Sequence, residues 1–223
     1  MTIVKTQVNR RSFLKASALA GGGLMIGFSW ACNPMEAERA APKDWFDMNA
    51  FLSIADNGQV TIMSPNPEIG QNIKTSMPMI VAEELDVDWK DVIVKQAPLN
   101  STSFQRQVAG GSQSIRQGWT SLRMAGATAR QLMIKTAAKE WEVEASSLTT
   151  DGGYVMNGRK KLSYGELASK AATETIPEEV PLKDPKTFKI IGKSKTNVDM
   201  HEIVTGKPVF GVDYQVEGMV IAA

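Results

Sequence analysis

The chain has 223 residues, 43% hydrophobic and 22% charged, a globular composition long enough to bury a core and build one or two domains. Lysine plus arginine number 25 against 24 acids, so no charged field exists to gather nucleic acid, and that class of partner is excluded. One cysteine (Cys32) and one histidine (His201) leave no intramolecular disulfide, no cysteine-held iron–sulfur cluster and no histidine-rich metal site on this chain.

The first 31 residues predict an export signal. Asn9-Arg10-Arg11-Ser12-Phe13-Leu14-Lys15 precedes an apolar, small-residue stretch over 16–30 that three glycines interrupt. A charged start and a short apolar middle are the parts of a secretory signal, and the stretch falls short of the about 20 apolar residues that span a bilayer. The paired arginines resemble a twin-arginine signature, with Asn9 in place of its usual serine or threonine. That resemblance implies delivery to the periplasm of a protein already folded around a prosthetic group. Ser29 and Ala31 suit cleavage after residue 31, leaving Cys32 either as a lipid anchor or as a free cysteine. Residues 32–44 read as a tether.

Beyond the tether, 51–55 and 59–64 are β-rich runs that meet at Asp56-Asn57-Gly58, a hairpin signal. A loop over 65–72 leads into a helix that ends near Leu85, with Ile73, Met77, Ile80, Val81 and Leu85 at helical spacing. Pro78 costs such a helix least if it lies in the first turns. A strand follows over 92–96, then an aperiodic loop over 98–111, long enough to be functional or disordered. From Ser112 a long helix runs to about Trp141 on the stripe Ile115, Trp119, Leu122, Gly126, Ala129, Met133 and Ala137. Gly126, Ala127 and Ala129 predict close approach to another element.

Short strands are predicted over 147–150, 154–156 and 160–162, and Ser163 with Glu166 makes a capping box for a helix to Ala172. Residues 173–186 are rich in Pro and Glu and read as a linker or surface strap. Weak alternation over 206–223 predicts a strand pair. The apolar end Met219-Val220-Ile221-Ala222-Ala223 suggests a chain that continues. Trp89, Trp119, Trp141 and Met77 read as core residues, His201 as a surface residue, and Glu68 as a solvated loop carboxylate rather than a catalytic acid. Arg116, Arg123 and Arg130 either pair with phosphate or face water.

Two segments, Glu68-Ile69-Gly70-Gln71-Asn72 and Gly110-Gly111-Ser112-Gln113-Ser114, resemble the pterin-binding turns of the xanthine oxidase and aldehyde oxidoreductase family. Lys74-Thr75, Ala82-Glu83-Glu84-Leu85, Asp88-Trp89 and the helix carrying Arg123 and Arg130 look like its isoquinoline 1-oxidoreductase branch, where the pterin segment precedes the hammerhead domain. The resemblance implies an α/β (α+β) fold: a molybdopterin-binding segment over 45–175, a linker over 176–203, and the first strands of an a/b hammerhead domain from 204. It implies molybdopterin cytosine dinucleotide as cofactor, contacted by Gly70, Gln71, Asn72, Gly110, Gly111, Ser112, Gln113 and Ser114. Asn72 departs from the family turn, which has a second glycine there.

These segments suit such a ligand. Helix N-terminal amides are unsatisfied and lie at the positive end of the helix dipole. Two glycines let the backbone approach closely, and hydroxyls add donors. Gln71 suits a pterin edge or an oxo ligand. The family hydroxylates N-heterocycles or oxidises aldehydes with oxygen taken from water. Its base glutamate stands in a Gly-x-Gly-Glu motif not found here, and Gly165-Glu166 is already explained by the capping box. The resemblance further implies a small subunit carrying 2Fe–2S clusters and a cytochrome c electron acceptor. An exported binding protein that kept the fold and lost the cofactor is the alternative.

Overall fold

The computed structural model describes residues 40–104 and 106–220. The predicted twin-arginine signal, Cys32, most of the predicted tether and the last three residues lie outside them. Among the described residues, seven strands form two sheets, and three helices of eight or more residues pack with them into one core.

The first sheet has the order β1 (Trp45–Asn49), β2 (Leu52–Ala55), β3 (Val60–Ser64), β4 (Val92–Gln96). β1–β2 and β2–β3 are antiparallel, and the tight turn at Asn57-Gly58 uses Gly58 at φ 82°, which glycine adopts freely. β3 and β4 run parallel, a pairing that needs a crossover. α1 (Ile73–Leu85) supplies it. β1 is absent from the sequence reading. It is an edge strand with a register shift between Asp47 and Asn49 and only Met48 fully buried, so its five residues carry no clean alternation.

α1 is buried on nearly every side, from Ile73 and Met77 through Ile80, Val81 and Leu85. A helix this enclosed belongs to a core. Pro78 stands in its second turn, where the missing amide removes one helical hydrogen bond. α2 (Ser114–Trp141) lies against it along the predicted stripe, with Leu122, Gly126, Ala129, Met133 and Ala137 buried and Ile115, Trp119 and Trp141 at the margin. Gly126 sits where the helices come closest: an ideal Cβ there would stand 2.3 Å from Val81 O.

The second sheet is the meander β5 (Thr149–Asp151), β6 (Tyr154–Asn157), β7 (Lys160–Ser163), followed directly by α3 (Tyr164–Ala171). Both halves of the predicted capping box are present: Glu166 N donates to Ser163 Oγ, and Ser163 N donates to Glu166 Oε2. Tyr164 is fully buried, and its hydroxyl donates to Leu85 O at 2.9 Å. That bond ties the end of α1 to α3.

One prediction needs correction, the strand pair over 206–223. Residues 183–191, inside the linker of 176–203, lie as a strap fastened to the core. Glu83 Oε2 accepts from Lys189 N, Ile190 N and Ile191 N at 2.6–3.0 Å, and Glu84 Oε2 accepts from Lys183 N at 3.0 Å. Both carboxylates are buried. The strand pair over 206–223 is not formed among residues 206–220, which are turns and irregular backbone after the short helix α4 (Met200–Val204). Val209, Val212 and Val220 are exposed there. Strands need a ladder partner and a buried face, and these residues have neither among the described ones.

Candidate functional site: two turns at helix N-termini

The predicted turns open α1 and α2. In the first, Gly70 takes φ 100° and Asn72 takes φ 62°, the left-handed geometry that asparagine tolerates. Its carbonyl starts the helix, accepting from Ser76 N and Ser76 Oγ. Glu68 folds over this end. Its Oε1 accepts from Gly70 N at 2.8 Å and Asn72 N at 3.0 Å, and its Oε2 from Lys74 N at 2.9 Å. The amides that would welcome a phosphate therefore already hold an anion. Gln71 turns back on the same loop, accepting from Ile69 N at 2.7 Å and donating to Pro67 O at 3.0 Å. One N–H and one oxygen lone pair of its carboxamide remain.

Glu68 is thus not the unpartnered, solvated carboxylate that the sequence suggests. Partial burial pushes its pKa up, but the amides of Lys74, Asn72, Gly70 and Gln71 outweigh that and hold it below the usual glutamate range. A lowered pKa places the stabilisation above the ordinary carboxylate pKa and removes it as pH falls through the lowered value. Protection of the Gly70, Asn72 and Lys74 amides, their exchange relative to the intrinsic rate at each pH, is therefore expected to persist from neutral pH into mild acid and to be lost only below the usual glutamate range. Protection lost within the ordinary range would mean the carboxylate is not held.

The second turn is different. Gly111 and Ser112 are left-handed in succession, at φ 61° and 51°. A non-glycine residue there costs about 1 kcal/mol and persists where surroundings or function demand it. Gln113 is the N-cap of α2, with no side-chain cap and no acid in the first turn. The 28-residue helix presents its N-terminal amides and positive dipole end unopposed. A Cβ at Gly110 would meet nothing within 4 Å, so the backbone is open to close approach.

Ser114 Oγ accepts from Asn66 Nδ2 at 2.8 Å, which leaves its proton to donate elsewhere. Asn66 is a site residue that the sequence reading missed. It is buried, gives its second N–H to Val108 O at 3.0 Å, and accepts Gln96 Nε2 on its backbone carbonyl. One side chain thus joins the loop before α1 to the turn before α2. The available signal was its place between Pro65 and Pro67, which stiffen the backbone on both sides.

The two turns border different spaces. Glu68, Ile69, Gly70 and Lys74 line a groove of about 760 Å³ that extends to Val209 and Phe210. Ser114 lines a cavity of about 180 Å³ with Asn66, Arg106 and Gln117, and Arg106 there has a buried guanidinium nitrogen without a partner among the described residues. Pro65 lines both. Gln113 is engaged with Gln117, accepting at 2.6 Å. Of the arginines offered to phosphate or water, Arg123 and Arg130 do neither. Both are buried against Glu84, with N···O separations of 2.6 and 3.7 Å. Arg116 is exposed beside the second turn.

Taken as chemistry, the second turn can receive an oxyanion, and the first can offer an uncharged edge its remaining carboxamide groups.

The molybdopterin cofactor-binding domain family matches residues 5–219. The chain is 30% identical to the membrane-bound aldehyde dehydrogenase (pyrroloquinoline-quinone) of Gluconacetobacter polyoxogenes, over 96% of this chain and 29% of that protein. It is also 30% identical to isoquinoline 1-oxidoreductase subunit beta of Brevundimonas diminuta, over 97% of this chain and 33% of that one. Among solved structures it is similar to quinoline 2-oxidoreductase from Pseudomonas putida 86, at 21% identity over 58% of this chain and 17% of the other, with a TM-score of 0.44. The chain spans about a third of the length of the first two relatives. A match over so much of the sequence, on a mixed fold of helices and sheets, makes the chain a member of the molybdopterin cofactor-binding domain family.

Proposed function

We propose that this chain is the cofactor-holding N-terminal part of the large subunit of a molybdenum hydroxylase that oxidises N-heterocycles or aldehydes. The leader carries it to the periplasm in this reading, and the cofactor is the cytosine dinucleotide of molybdopterin. Electrons leave through a separate subunit bearing 2Fe–2S clusters, and residues 204–223 begin a hammerhead domain. The observation that carries the reading is the Gly110–Ser114 turn, an uncapped and acid-free helix N-terminus on a chain of this family.

When bound, the cofactor supplies the two-electron oxidation of the substrate carbon; the chain supplies binding and orientation. Gly110 and Gly111 would admit the pyrophosphate to the α2 amides, and Ser114, held by Asn66, would donate a hydrogen bond to a phosphate oxygen. Gln71 and Asn72 would hold the uncharged part of the cofactor. No base for the reaction is assigned to this chain.

One observation favours a second reading, an exported binding protein without a cofactor: the amides of Gly70, Asn72 and Lys74 at the start of α1 are already taken by Glu68. Metal and nucleotide analysis of the protein purified from its host decides between them. About one molybdenum and one cytidine monophosphate released per chain is the expected result. A quinone in place of molybdenum would overturn the cofactor assignment, and folded protein with neither would establish the binding protein.

A further inference from the structure

Glu68 does more than end a helix. Its two oxygens take three amides spread over five residues, Gly70, Asn72 and Lys74, and so fix two left-handed residues and everything between them. Gln71 lies inside that closure, with both ends of its carboxamide bonded to the same loop. The loop is therefore built from its own side chains and requires no ligand to take this shape. It also carries a full negative charge where a bare helix N-terminus would carry partial positive charge.

We infer that Glu68 is a positioning residue. It prebuilds the Gln71–Asn72 loop for an uncharged ring edge and screens that loop against phosphate, leaving phosphate to the Gly110–Ser114 turn. The cofactor part of this statement rests on the proposed function, whereas the loop and the phosphate screen stand without it. Both turns open helices, and without the Glu68 carboxylate both helix N-termini would offer amides to one pyrophosphate. A carboxylate in the first of them sets the direction in which an asymmetric dinucleotide can lie.

The test uses the full chain and the variants Glu68→Gln, Glu68→Ala and Glu68→Asp. Amide exchange at Gly70, Asn72 and Lys74 is expected to be about tenfold faster or more in Glu68→Gln and Glu68→Ala, because charge-assisted bonds are lost there. Glu68→Asp, which keeps the charge on a shorter arm, is expected to fall between these variants and the native protein. Titration with inorganic pyrophosphate supplies a readout that a purely structural role would not move. The 70–74 amides are expected to shift in Glu68→Ala and to stay unmoved in the native chain. Molybdenum content of protein loaded in the host is expected to drop several-fold in Glu68→Gln.

Unchanged amide exchange in Glu68→Gln would overturn the positioning role. Equal pyrophosphate response at the loop in native and Glu68→Ala protein would overturn the screening role. Native protein that carries no molybdenum would sink the proposed function instead, and the exchange and pyrophosphate results would still decide the role of Glu68.

Discussion

Gly126→Ala is expected to lower stability by about 3 kcal/mol or more, against the ordinary preference of a helix for alanine. Intrinsic propensity alone predicts a gain of about 1 kcal/mol for this change in a helix interior. The geometry reverses the sign. An ideal Cβ at 126 would lie 2.3 Å from Val81 O, 2.9 Å from Glu84 Cβ and 3.1 Å from Leu85 N. Two of these three are main-chain atoms of α1, so no side chain can swing aside. α1 and α2 must separate, and Leu85, Leu122 and Met133 loosen with them. For a chain of this length the loss corresponds to a fall in melting temperature of roughly 6–12 °C. Gly110→Ala, where a methyl meets nothing within 4 Å, is the control and is expected to melt with the native protein. A Gly126→Ala protein that melts higher would mean the helices do not approach as described.

Glu83→Ala is expected to cost about 3–5 kcal/mol, because it strands the groups that a buried charge was holding. The amides of Lys189, Ile190 and Ile191 and the ammonium of Lys183 all lose an acceptor, and residues 183–191 lose their main attachment to α1. Glu83→Gln keeps the shape and one acceptor oxygen and is expected to cost less than half as much. The exposed pair Glu140–Lys170 provides the scale: Glu140→Ala is expected to change stability by at most about 0.5 kcal/mol. Thermal or urea unfolding of the three variants together checks the order. Equal losses for Glu83→Ala and Glu140→Ala would show that the strap is not held through this carboxylate.

Where local signals agreed, the sequence was readable. The Asp56-Asn57-Gly58 hairpin, α1, β4, α2 and the β5–β7 meander follow from turn residues and apolar spacing, and all lie within about two residues of their expected limits. Even the close approach at Gly126 was visible as a run of small residues. The illegible features depend on partners far along the chain. Glu83 and Glu84 look like ordinary helix-end acids until a strap from beyond residue 180 covers them. Asn66 gains meaning only when Ser114 arrives beside it. Glu68 was misread although its partners are local, because a carboxylate curling onto amides two to six residues ahead depends on Gly70 and Asn72 being left-handed. The alternation over 206–220 was a true pattern without a partner strand, and period alone does not make a sheet.

The fastening of residues 183–191 to α1 also sets an order of events during synthesis. Glu83 meets its amide partners 106 to 108 residues further along the chain. At roughly 5–20 residues per second, a ribosome needs about 5–20 s to make that length. Throughout that interval the end of α1 has two carboxylates and no strap, next to apolar residues that belong in a core. Glu84 meets Arg123 after 39 residues, but burying Glu83 early would leave its charge without the amides that hold it, so the end of α1 is completed only when the strap arrives. The β2–β3 hairpin and the β5–β7 meander, whose contacts are all local, are free to form first.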